Sequence, residues 1–200
     1  DMPIPATACT VQERLGCKSA AAFDMAAGCS GFIYAQSVAK QFLLTGRCRN
    51  VLVIGAETLS RFLDIQDRGS CILFGDGAGA AILETTTTPD VGVLGNLLGA
   101  DGVNAELLHC VAGGSAQPAS EQTLRDRQHF LRMNGKEVFK LAVRVMADSC
   151  ERVLTACGKH SDDVAWFIPH QANIRILEAV ADQLHVGLDR FPINLDRYGN

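Results

Sequence analysis

The fold is decided by residues 50–56, Asn-Val-Leu-Val-Ile-Gly-Ala, an almost continuous apolar run. Such a run is typical of a strand that is covered on both faces in a mainly parallel sheet. Upstream, residues 30–45 contain no proline and no glycine after Gly31, and their apolar side chains recur at helical spacing. Gly46 follows them in the position of a C-cap. With the apolar segment 20–25, these residues predict a β-α-β unit and an α/β fold.

The strand pattern continues downstream and is then interrupted. Residues 70–74 and 80–84 are predicted as two more strands that flank a Gly-rich turn at 75–79. Four threonines and a proline at 85–89 break the pattern and place a boundary near residue 88. The chain is thus divided into two parts, 1–88 and 89–200.

The second part repeats the strand and helix types of the first. Amphipathic helices are predicted at 135–157 and at 172–184, because apolar residues recur there every three to four positions. Short apolar runs at 164–168 and 191–195 are predicted as strands.

Composition and charge exclude several classes of protein. The 200 residues carry 18 lysines and arginines against 22 aspartates and glutamates, a formal charge of −4. This balance lacks the basic excess that neutralises phosphates in nucleic-acid-binding proteins. No apolar run approaches the ~20 residues of a membrane-spanning helix, and the first residues lack a signal-peptide pattern. We therefore expect a protein of the cytoplasm or another reducing compartment, with no nucleic acid and no membrane as partner.

The eight cysteines do not follow the spacing of a metal or redox site. None of them forms a C-x-x-C pair, which disfavours a zinc ribbon and a thioredoxin-like site. Disulfide frameworks belong to smaller secreted domains. Most of the cysteines are therefore expected to be small buried side chains, and no metal is expected.

Cys29 has a setting that the other cysteines lack. It lies in Gly28-Cys29-Ser30-Gly31-Phe32, between a predicted strand and a predicted helix. The N-terminus of a helix carries partial positive charge and unpaired N–H groups, which favour a thiolate. Gly28 and Gly31 leave room for close approach of a substrate, as in a nucleophile elbow. From the residues alone, a nucleophile and a small buried side chain both stay open.

His170 also follows a predicted strand and precedes a predicted helix. Open α/β sheets bind ligands at the carboxyl ends of their strands, which is where this position falls. A surface histidine in a turn is the alternative interpretation.

The glycines at 75–79 have part of the spacing of a dinucleotide-binding turn, Gly75-x-Gly77-x-x-Ala80. The residues that follow are Ala-Ile-Leu-Glu and four threonines, which do not predict the helix that holds a pyrophosphate. We therefore expect a tight connection between strands there and no nucleotide site.

Five motifs follow one another along the chain: GCSGF at 28–32, DRGSCILFGDGAGAAIL at 67–83, NGKEVFK at 134–140, PHQAN at 169–173 and RYGN at 197–200. Together they resemble beta-ketoacyl-acyl carrier protein synthase III, a family of thiolase-superfamily condensing enzymes that starts type II fatty acid synthesis. The resemblance implies a thiolase-like duplicated αβαβα layered fold with mixed sheets. Because members of this family are longer, it also implies a chain that is incomplete at both ends.

Each part of the chain would then be part of one thiolase-like half, with Cys29 in the first and His170 and Asn200 in the second. The resemblance implies that these three residues form a catalytic triad. Cys29 would accept an acyl group from acyl-coenzyme A as a thioester. Malonyl-acyl carrier protein would then lose carbon dioxide, and side-chain donors of His170 and Asn200 would stabilise the enolate.

The enolate carbon would attack the acyl-Cys29 carbonyl, which makes the reaction a decarboxylative Claisen condensation. The implied enzyme is an acyltransferase of fatty acid biosynthesis, within lipid metabolism. No cofactor is implied, because thioesters of coenzyme A and of acyl carrier protein are the substrates.

The resemblance also implies binding residues and a homodimer. Arg68 matches a coenzyme A contact, Asn173 lines the pantetheine tunnel, and Ile4 matches a position that closes the acyl pocket across the dimer. Acyl carrier proteins are acidic, so exposed basic residues would steer them by charge. The expected docking residues are Lys140 and Arg175, with Lys136 and Arg144 on the same helix face as Lys140.

Two other functions stay open. A polyketide starter synthase, or another acyltransferase of the thiolase superfamily, keeps the same triad. A non-catalytic partner subunit, as occurs in some condensing-enzyme pairs, would have no chemical need for all three triad residues. The combination of PHQAN with RYGN favours the fatty acid enzymes.

Overall fold

The computed structural model describes residues 2–200 and shows an α/β chain. The helices, in chain order, are α1 Thr7–Arg14, α2 Gly31–Leu44, α3 Glu121–Arg125, α4 Gly135–Ala156, α5 Ile174–Gln183 and α6 Leu195–Tyr198. The strands are β1 Asn50–Thr58, β2 Asp76–Glu84, β3 Leu108–Cys110 and β4 Leu131–Met133. In the described part of the chain, β1 pairs with β2, and β3 pairs with β4 in a second sheet. The β3–β4 pair is antiparallel, with His109 opposite Arg132.

Two compact units are formed. The first holds the described residues up to Val53 together with Ile82–Thr85, and the second holds Ile54–Ala81 together with Thr86–Asn200. The boundary that the sequence places near residue 88 stays a prediction.

In the first unit, α2 and its C-cap are confirmed. Ala39 is buried, as the apolar periodicity predicts, and Leu43 beside it is buried as well, whereas Phe42 is partly exposed, at 39%. The helix ends where Gly46 takes a φ of 69°, and its amide donates to the carbonyl of Leu43 at 3.0 Å. Glycine suits this left-handed turn because it has no Cβ to clash with the preceding carbonyl.

The predicted strand at 20–25 is wrong, since the structure has an extended loop there. The loop is held by its side chains instead of by a strand ladder. The Asp24 carboxylate accepts hydrogen bonds from the backbone N–H groups of Thr7 and Ala8, both at 2.8 Å, and so caps α1. These two bonds, that of Ala8 first, lower the pKa of Asp24. Phe23 also packs against Phe42 of α2, with 6.4 Å between ring centroids.

In the second unit, α4 and α5 pack together around the main core. The predicted bounds of both helices are confirmed to within two residues. The buried side chains of their shared core include Ala147, Ile176 and Val180. Phe167 and Phe191 extend this core as a stacked pair, with ring centroids 5.3 Å apart. Phe139, Val143 and Ala147 of α4 lie at this core, whereas Val145, another apolar residue of the helix, is 46% exposed.

The predicted strands around the Gly-rich segment are shifted. Residues 70–74 form turns, because the amides of Ser70 and Leu73 donate to carbonyls three residues earlier. Within the predicted turn at 75–79, Gly77 and Gly79 lie instead in β2, and Gly75 directly precedes the strand. The Asp76 carboxylate fixes the start of β2 by accepting bonds from the N–H and hydroxyl of Ser60, at 2.8 and 2.6 Å.

The predicted strands at 164–168 and 191–195 are also wrong. A strand requires a ladder of backbone hydrogen bonds. Between these two segments the described residues show a single nearby bond, from the Phe167 N–H to the Arg190 carbonyl at 3.0 Å. Residues from Leu195 onward turn into α6. The stacked Phe167 and Phe191 are therefore buried, while Trp166 and Ile168 stay exposed and no strand ladder forms.

The cysteines lie nearer the surface than expected. All eight lie in the described part, and none of them forms a disulfide. The expectation that most are buried is wrong, because several lie in turns and helix ends. Three are partly buried, Cys71, Cys150 and Cys157, and five are exposed: Cys9, Cys17, Cys29, Cys48 and Cys110. Across residues 2–200, no helix combines the length and apolar character that crossing a bilayer requires.

Candidate functional site

Cys29 lies in a single 3₁₀ turn, Gly28–Ser30, that leads directly into α2. Its side chain is exposed, and the Ser30 N–H closes the turn on the carbonyl of Ala27 at 3.2 Å. Gly28 has a φ of 52°, a left-handed conformation that favours glycine. The thiol therefore stands at the N-terminal end of a 14-residue helix, where partial positive charge favours a thiolate.

His170 lies in a loop before α5 that the side chain of Gln171 holds in place. The Gln171 amide nitrogen donates to the carbonyls of Pro169 and Pro192, each at 3.2 Å. Its amide oxygen accepts from the Asn194 N–H at 3.2 Å. Since Asn194 is the residue before α6, Gln171 ties the His170 loop to the segment that leads to Asn200.

His170 is exposed, and the protein atoms around its imidazole desolvate the ring only in part. Desolvation disfavours the charged ring, so the pKa of His170 lies below the ordinary value of 6.5. At neutral pH the ring is therefore uncharged, with one nitrogen as a hydrogen-bond donor and the other as an acceptor. Such a ring can donate to a developing oxyanion without first losing a proton.

Asn173 is the N-cap of α5. Its side-chain oxygen accepts from the Arg175 N–H at 2.9 Å, which satisfies one of the unpaired amides at the helix start. Asn173 is half-buried, and Arg175 is exposed. The place of Asn173 in a pantetheine tunnel stays a prediction, and the capping bond leaves the amide nitrogen as the group that could face a substrate.

Asn200 is anchored through its backbone. Its N–H donates to the carbonyl of Leu73 at 2.9 Å, and its carbonyl accepts from the N–H of Gly75 at 2.8 Å. The Gly-rich motif and the RYGN motif therefore meet within the second unit. Sequence reasoning missed this pairing, although both partners lie in motifs that it singled out.

Arg68 lies at the exposed tip of a turn that Asp67 braces. The Asp67 carboxylate accepts from the hydroxyl of Ser70 at 2.7 Å and from the N–H of Gly69 at 2.9 Å. These bonds, that of Ser70 first, lower the pKa of Asp67. Ser70 is buried and holds the turn against the protein interior, while Arg68 remains exposed to solvent.

An ion pair lies just before this turn, with a buried carboxylate on Asp64 and a partly exposed guanidinium on Arg127, and sequence reasoning missed it. Arg127 donates from Nε to Asp64 at 3.1 Å and from Nη2 to the other carboxylate oxygen. The hydrogen bond from Arg127 is the main cause that lowers the pKa of Asp64. No spacing rule connects positions this far apart in sequence, so the pair has no local signal.

The basic residues of α4 are exposed, as predicted. Lys140 forms an ion pair with Glu137, with Nζ 2.9 Å from Oε1. Within the described residues, Lys136 and Arg144 form no ion pair. Ile4 is also exposed, at 84% of its accessible surface, and lies before α1. The binding roles of these residues stay predictions.

The three residues of the predicted triad are divided between the units, with Cys29 in the first and His170 and Asn200 in the second. Within the second unit, Gln171 and Gly75 position the two loops that carry His170 and Asn200. Across the described residues, no three histidine, cysteine or acidic side chains are grouped as a metal site.

Sequence models of one family match most of the chain. The model of 3-oxoacyl-[acyl-carrier-protein] synthase III matches residues 23–102, and the model of its C-terminal part matches residues 154–200. Cys29 and Arg68 lie in the first match, and His170, Asn173 and Asn200 lie in the second. Ile4 and the basic residues of α4 lie outside both.

Individual relatives agree with these matches. The chain is 52% identical over all 200 residues to the beta-ketoacyl-[acyl-carrier-protein] synthase III of Caldanaerobacter subterraneus. It also resembles the crystal structure of 3-oxoacyl-(acyl carrier protein) synthase III from Pseudomonas aeruginosa, with a TM-score of 0.90 and 39% identity. A priming beta-ketosynthase of the R1128 polyketide pathway gives a TM-score of 0.85 and 31% identity, covering all of this chain and 58% of that one.

The chain spans 60% of the length of the Caldanaerobacter and of the Pseudomonas protein. The high TM-scores confirm the thiolase-like α/β fold that the resemblance implies. Since the family models match more than half of the residues and the relatives match from end to end, the chain belongs to the 3-oxoacyl-[acyl-carrier-protein] synthase III family.

Proposed function

We propose that the chain carries the catalytic residues of an acyltransferase that condenses an acyl-coenzyme A primer with malonyl-acyl carrier protein. This decarboxylative Claisen condensation would initiate type II fatty acid synthesis. The observation that carries the proposal is the clamp by which Gln171 ties the loop of His170 to the segment that leads to Asn200, so that the two predicted donors lie on linked segments.

The first half-reaction is acyl transfer to Cys29. The Cys29 thiolate attacks the thioester carbonyl of acyl-coenzyme A, a new carbon–sulfur bond forms, and the bond to the coenzyme A sulfur breaks. Coenzyme A leaves and takes up a proton. The exposed position of Cys29 at the start of α2 supports this role, because the helix end stabilises the thiolate.

The second half-reaction begins with loss of carbon dioxide from the malonyl group. The carbon–carbon bond to the carboxylate breaks, and its electron pair forms an enolate whose negative charge lies on the thioester oxygen. His170 and Asn200 donate hydrogen bonds to that oxygen. A neutral His170 imidazole suits this step, because its ring N–H donates the hydrogen bond and the ring need not lose a proton first.

The enolate carbon then attacks the carbonyl of the acyl-Cys29 thioester. A carbon–carbon bond forms, the bond to the Cys29 sulfur breaks, and the thiolate is regenerated. The product is a beta-ketoacyl-acyl carrier protein. Every atom and electron comes from the two thioesters and Cys29, so the proposal includes no cofactor.

The proposal assigns the substrate contacts residue by residue. Arg68 binds coenzyme A from the tip of its braced turn, Asn173 faces the pantetheine arm, and Ile4 closes the acyl pocket in a homodimer. An acidic carrier protein docks on the exposed basic residues. These are Lys136, Lys140, Arg144 and Arg175. The enzyme acts in the cytoplasm.

A polyketide starter synthase is the second candidate, supported by the likeness to the R1128 priming enzyme. The identity of 31% to that protein is well below the 52% to the fatty acid enzyme of Caldanaerobacter, which favours the first candidate. A non-catalytic subunit is the least supported, because the chain keeps a cysteine, a histidine and an asparagine suited to each step.

The test is acylation of the purified protein with radiolabelled acetyl-coenzyme A, followed by addition of malonyl-acyl carrier protein. We expect label on Cys29, none on the Cys29→Ala variant, and unchanged labelling of Cys48→Ala, which removes another exposed cysteine. His170→Ala and Asn200→Ala should keep the label and lose decarboxylation of the malonyl group. Absence of label on the folded protein, or condensation retained by either of the last two variants, contradicts the proposal.

A further inference from the structure

The Asn200 backbone is held on both sides by one short segment. Its N–H donates to Leu73 and its carbonyl accepts from Gly75, so the two bonds enclose the residue like rungs of a strand pair. Residue 200 therefore has a fixed position relative to residues 73–75. We therefore expect a displacement of the 73–75 backbone to move the Asn200 backbone, and with it the Asn200 side chain.

Gly75 is the position in this segment that cannot carry a side chain. A Cβ atom on Gly75 would overlap the carbonyl oxygen of Tyr198 and would lie 3.2 Å from its carbonyl carbon. Both contacts are with backbone, which cannot rotate away as a side chain can. A methyl group at residue 75 must therefore displace the main chain on one side or the other.

The opposing segment, residues 198–200, has the same restriction. Gly199 takes a φ of 72°, and a Cβ there would lie 3.2 Å from the Gly75 nitrogen and 3.4 Å from the Leu73 carbonyl oxygen. Two glycines thus face each other across the contact and let the two backbones approach. Close approach of two backbones is a recognised use of glycine.

The displacement caused by a methyl group would fall on the side of Asn200. The residue after Gly75 is anchored, because the Asp76 carboxylate accepts bonds from the Ser60 N–H and hydroxyl at 2.8 and 2.6 Å. Asp76 also begins β2, which pairs with β1. Residues 198–200, by comparison, follow the four-residue helix α6 and belong to no strand, so we expect them to take up the displacement.

From this geometry we infer that Gly75 is a positioning residue for Asn200: its missing side chain sets where the Asn200 amide stands. The inference rests on the proposed function, in which Asn200 donates to the enolate oxygen. Such a donor stabilises charge only at hydrogen-bond distance, and a misplacement of about 1 Å can cost roughly a hundredfold in rate. Gly75 would thereby affect decarboxylation while contacting no substrate.

The same motif supplies matched controls. A Cβ on Gly77 or Gly79 would meet nothing within 4 Å, although both glycines lie in β2 a few residues away. Gly77→Ala therefore changes the same motif, by the same methyl group, without touching the Asn200 segment. Comparing Gly75→Ala with Gly77→Ala separates the contact with residues 198–200 from any general effect of alanine in this strand.

The experiment measures the two half-reactions separately in the wild-type protein and in each variant. Acylation of Cys29 by radiolabelled acetyl-coenzyme A reports the first, and carbon dioxide release from malonyl-acyl carrier protein reports the second. We expect Gly75→Ala to keep acylation and to lose about a hundredfold in decarboxylation, and Gly77→Ala to keep both. Adding Gly75→Ala to Asn200→Ala should cause no further loss of decarboxylation, because both changes act on the same donor.

A purely structural role for Gly75 predicts different results. Equal loss of both half-reactions, or a further loss in the double variant, would overturn the inference, as would normal decarboxylation by Gly75→Ala. If Gly75→Ala does not fold, Gly199→Ala is the second variant, because its Cβ would crowd the same contact at longer distances. It should also keep acylation and lose decarboxylation, to a smaller extent. Failure of the proposed function is distinct from all of these, since the wild-type protein would then not acylate Cys29.

Discussion

Arg127 donates hydrogen bonds from both Nε and Nη2 to the carboxylate of Asp64, although the two residues lie on separate stretches of the second unit. Asp64 is 4% exposed, and Arg127 is in addition packed on the Phe130 ring, with its guanidinium carbon 4.9 Å from the ring centroid. The Gln66 N–H and the Arg132 side chain complete the network around this pair. The turn that carries Arg68 begins three residues after Asp64, so the pair fixes the base of that turn.

Replacing Arg127 by methionine is expected to lower Tm by several degrees. The cause is the unpaired Asp64 carboxylate that remains buried, since breaking a buried pair costs more than the pair itself contributes. Arg127→Lys should be intermediate, because lysine keeps the charge and loses the two-pronged geometry. Thermal unfolding followed by circular dichroism measures the effect.

Arg125→Met is the matched control for this change. Arg125 pairs with Glu121 at 3.6 Å, but both side chains are largely exposed, at 67% and 90%. Exposed pairs contribute little, so this variant should unfold within a degree or two of the wild type. In the double variant Asp64→Asn, Arg127→Met, stability should partly return, because no unpaired charge is left; a further loss would show that the charge is not the cause.

His170 is expected to make the folded protein less stable as the pH falls below about 6.5. Desolvation lowers the pKa of His170 in the folded state, whereas in the unfolded chain this pKa is about 6.5. As the pH falls below 6.5, the unfolded chain therefore binds the proton first, and unfolding is favoured. The loss grows until the pH reaches the lowered folded value and is constant below it. Urea unfolding of the wild type and of His170→Gln over this range measures the difference.

The variant has no imidazole at residue 170, so its stability should change less between pH 7.5 and 5.5 than that of the wild type. A direct titration by NMR should place the folded pKa of His170 below 6.5. Identical pH slopes for the two proteins would show that the ring is fully hydrated in the folded state.

Periodicity predicted the long helices well, because each buries a continuous apolar stripe. Ala39 in α2 and Ile176 and Val180 in α5 are buried where the spacing puts them. The short strands failed for the opposite reason. A run such as 164–168 shows that its residues are apolar, and whether they form a ladder depends on partners elsewhere in the chain, here a single bond to Arg190.

The candidate site likewise has a part that the sequence predicts and a part that it does not. The motifs around Cys29 and His170 are local, so the sequence could place both residues beside helix starts. The contacts that position the site join distant segments: Gly75 with Asn200, and Gln171 with Asn194. No residue spacing encodes such pairs, although both Gly75 and Gln171 belong to motifs that the sequence singles out.

Charge on the exposed face of α4 provides a test of carrier-protein docking. Arg144→Glu should raise the KM for malonyl-acyl carrier protein roughly threefold to tenfold at low salt, because it reverses a charge that would attract an acidic partner. The KM for malonyl-coenzyme A should change little, and added salt should reduce the difference. Steady-state kinetics with both substrates measures this.

Arg152→Glu tests whether position on the helix matters. Arg152 is exposed on the same helix, but it is already paired with Asp148 at 3.1 Å. Its reversal adds the same charge two turns away, and we expect a smaller change in KM. Equal effects of the two variants would indicate long-range charge instead of a docking surface at Arg144.

Gln171 is expected to act on decarboxylation through the loop that it holds. In Gln171→Ala, the carbonyl of Pro192 and the N–H of Asn194 lose their partner, so the His170 loop is released from the segment before α6. Decarboxylation should fall about tenfold, since a donor that wanders from its place stabilises the enolate less, while acylation of Cys29 should be nearly unchanged. Gln183→Ala, at the exposed end of α5, is the control and should change neither half-reaction. Loss of acylation and decarboxylation to the same extent in Gln171→Ala would mean that the clamp serves the fold as a whole.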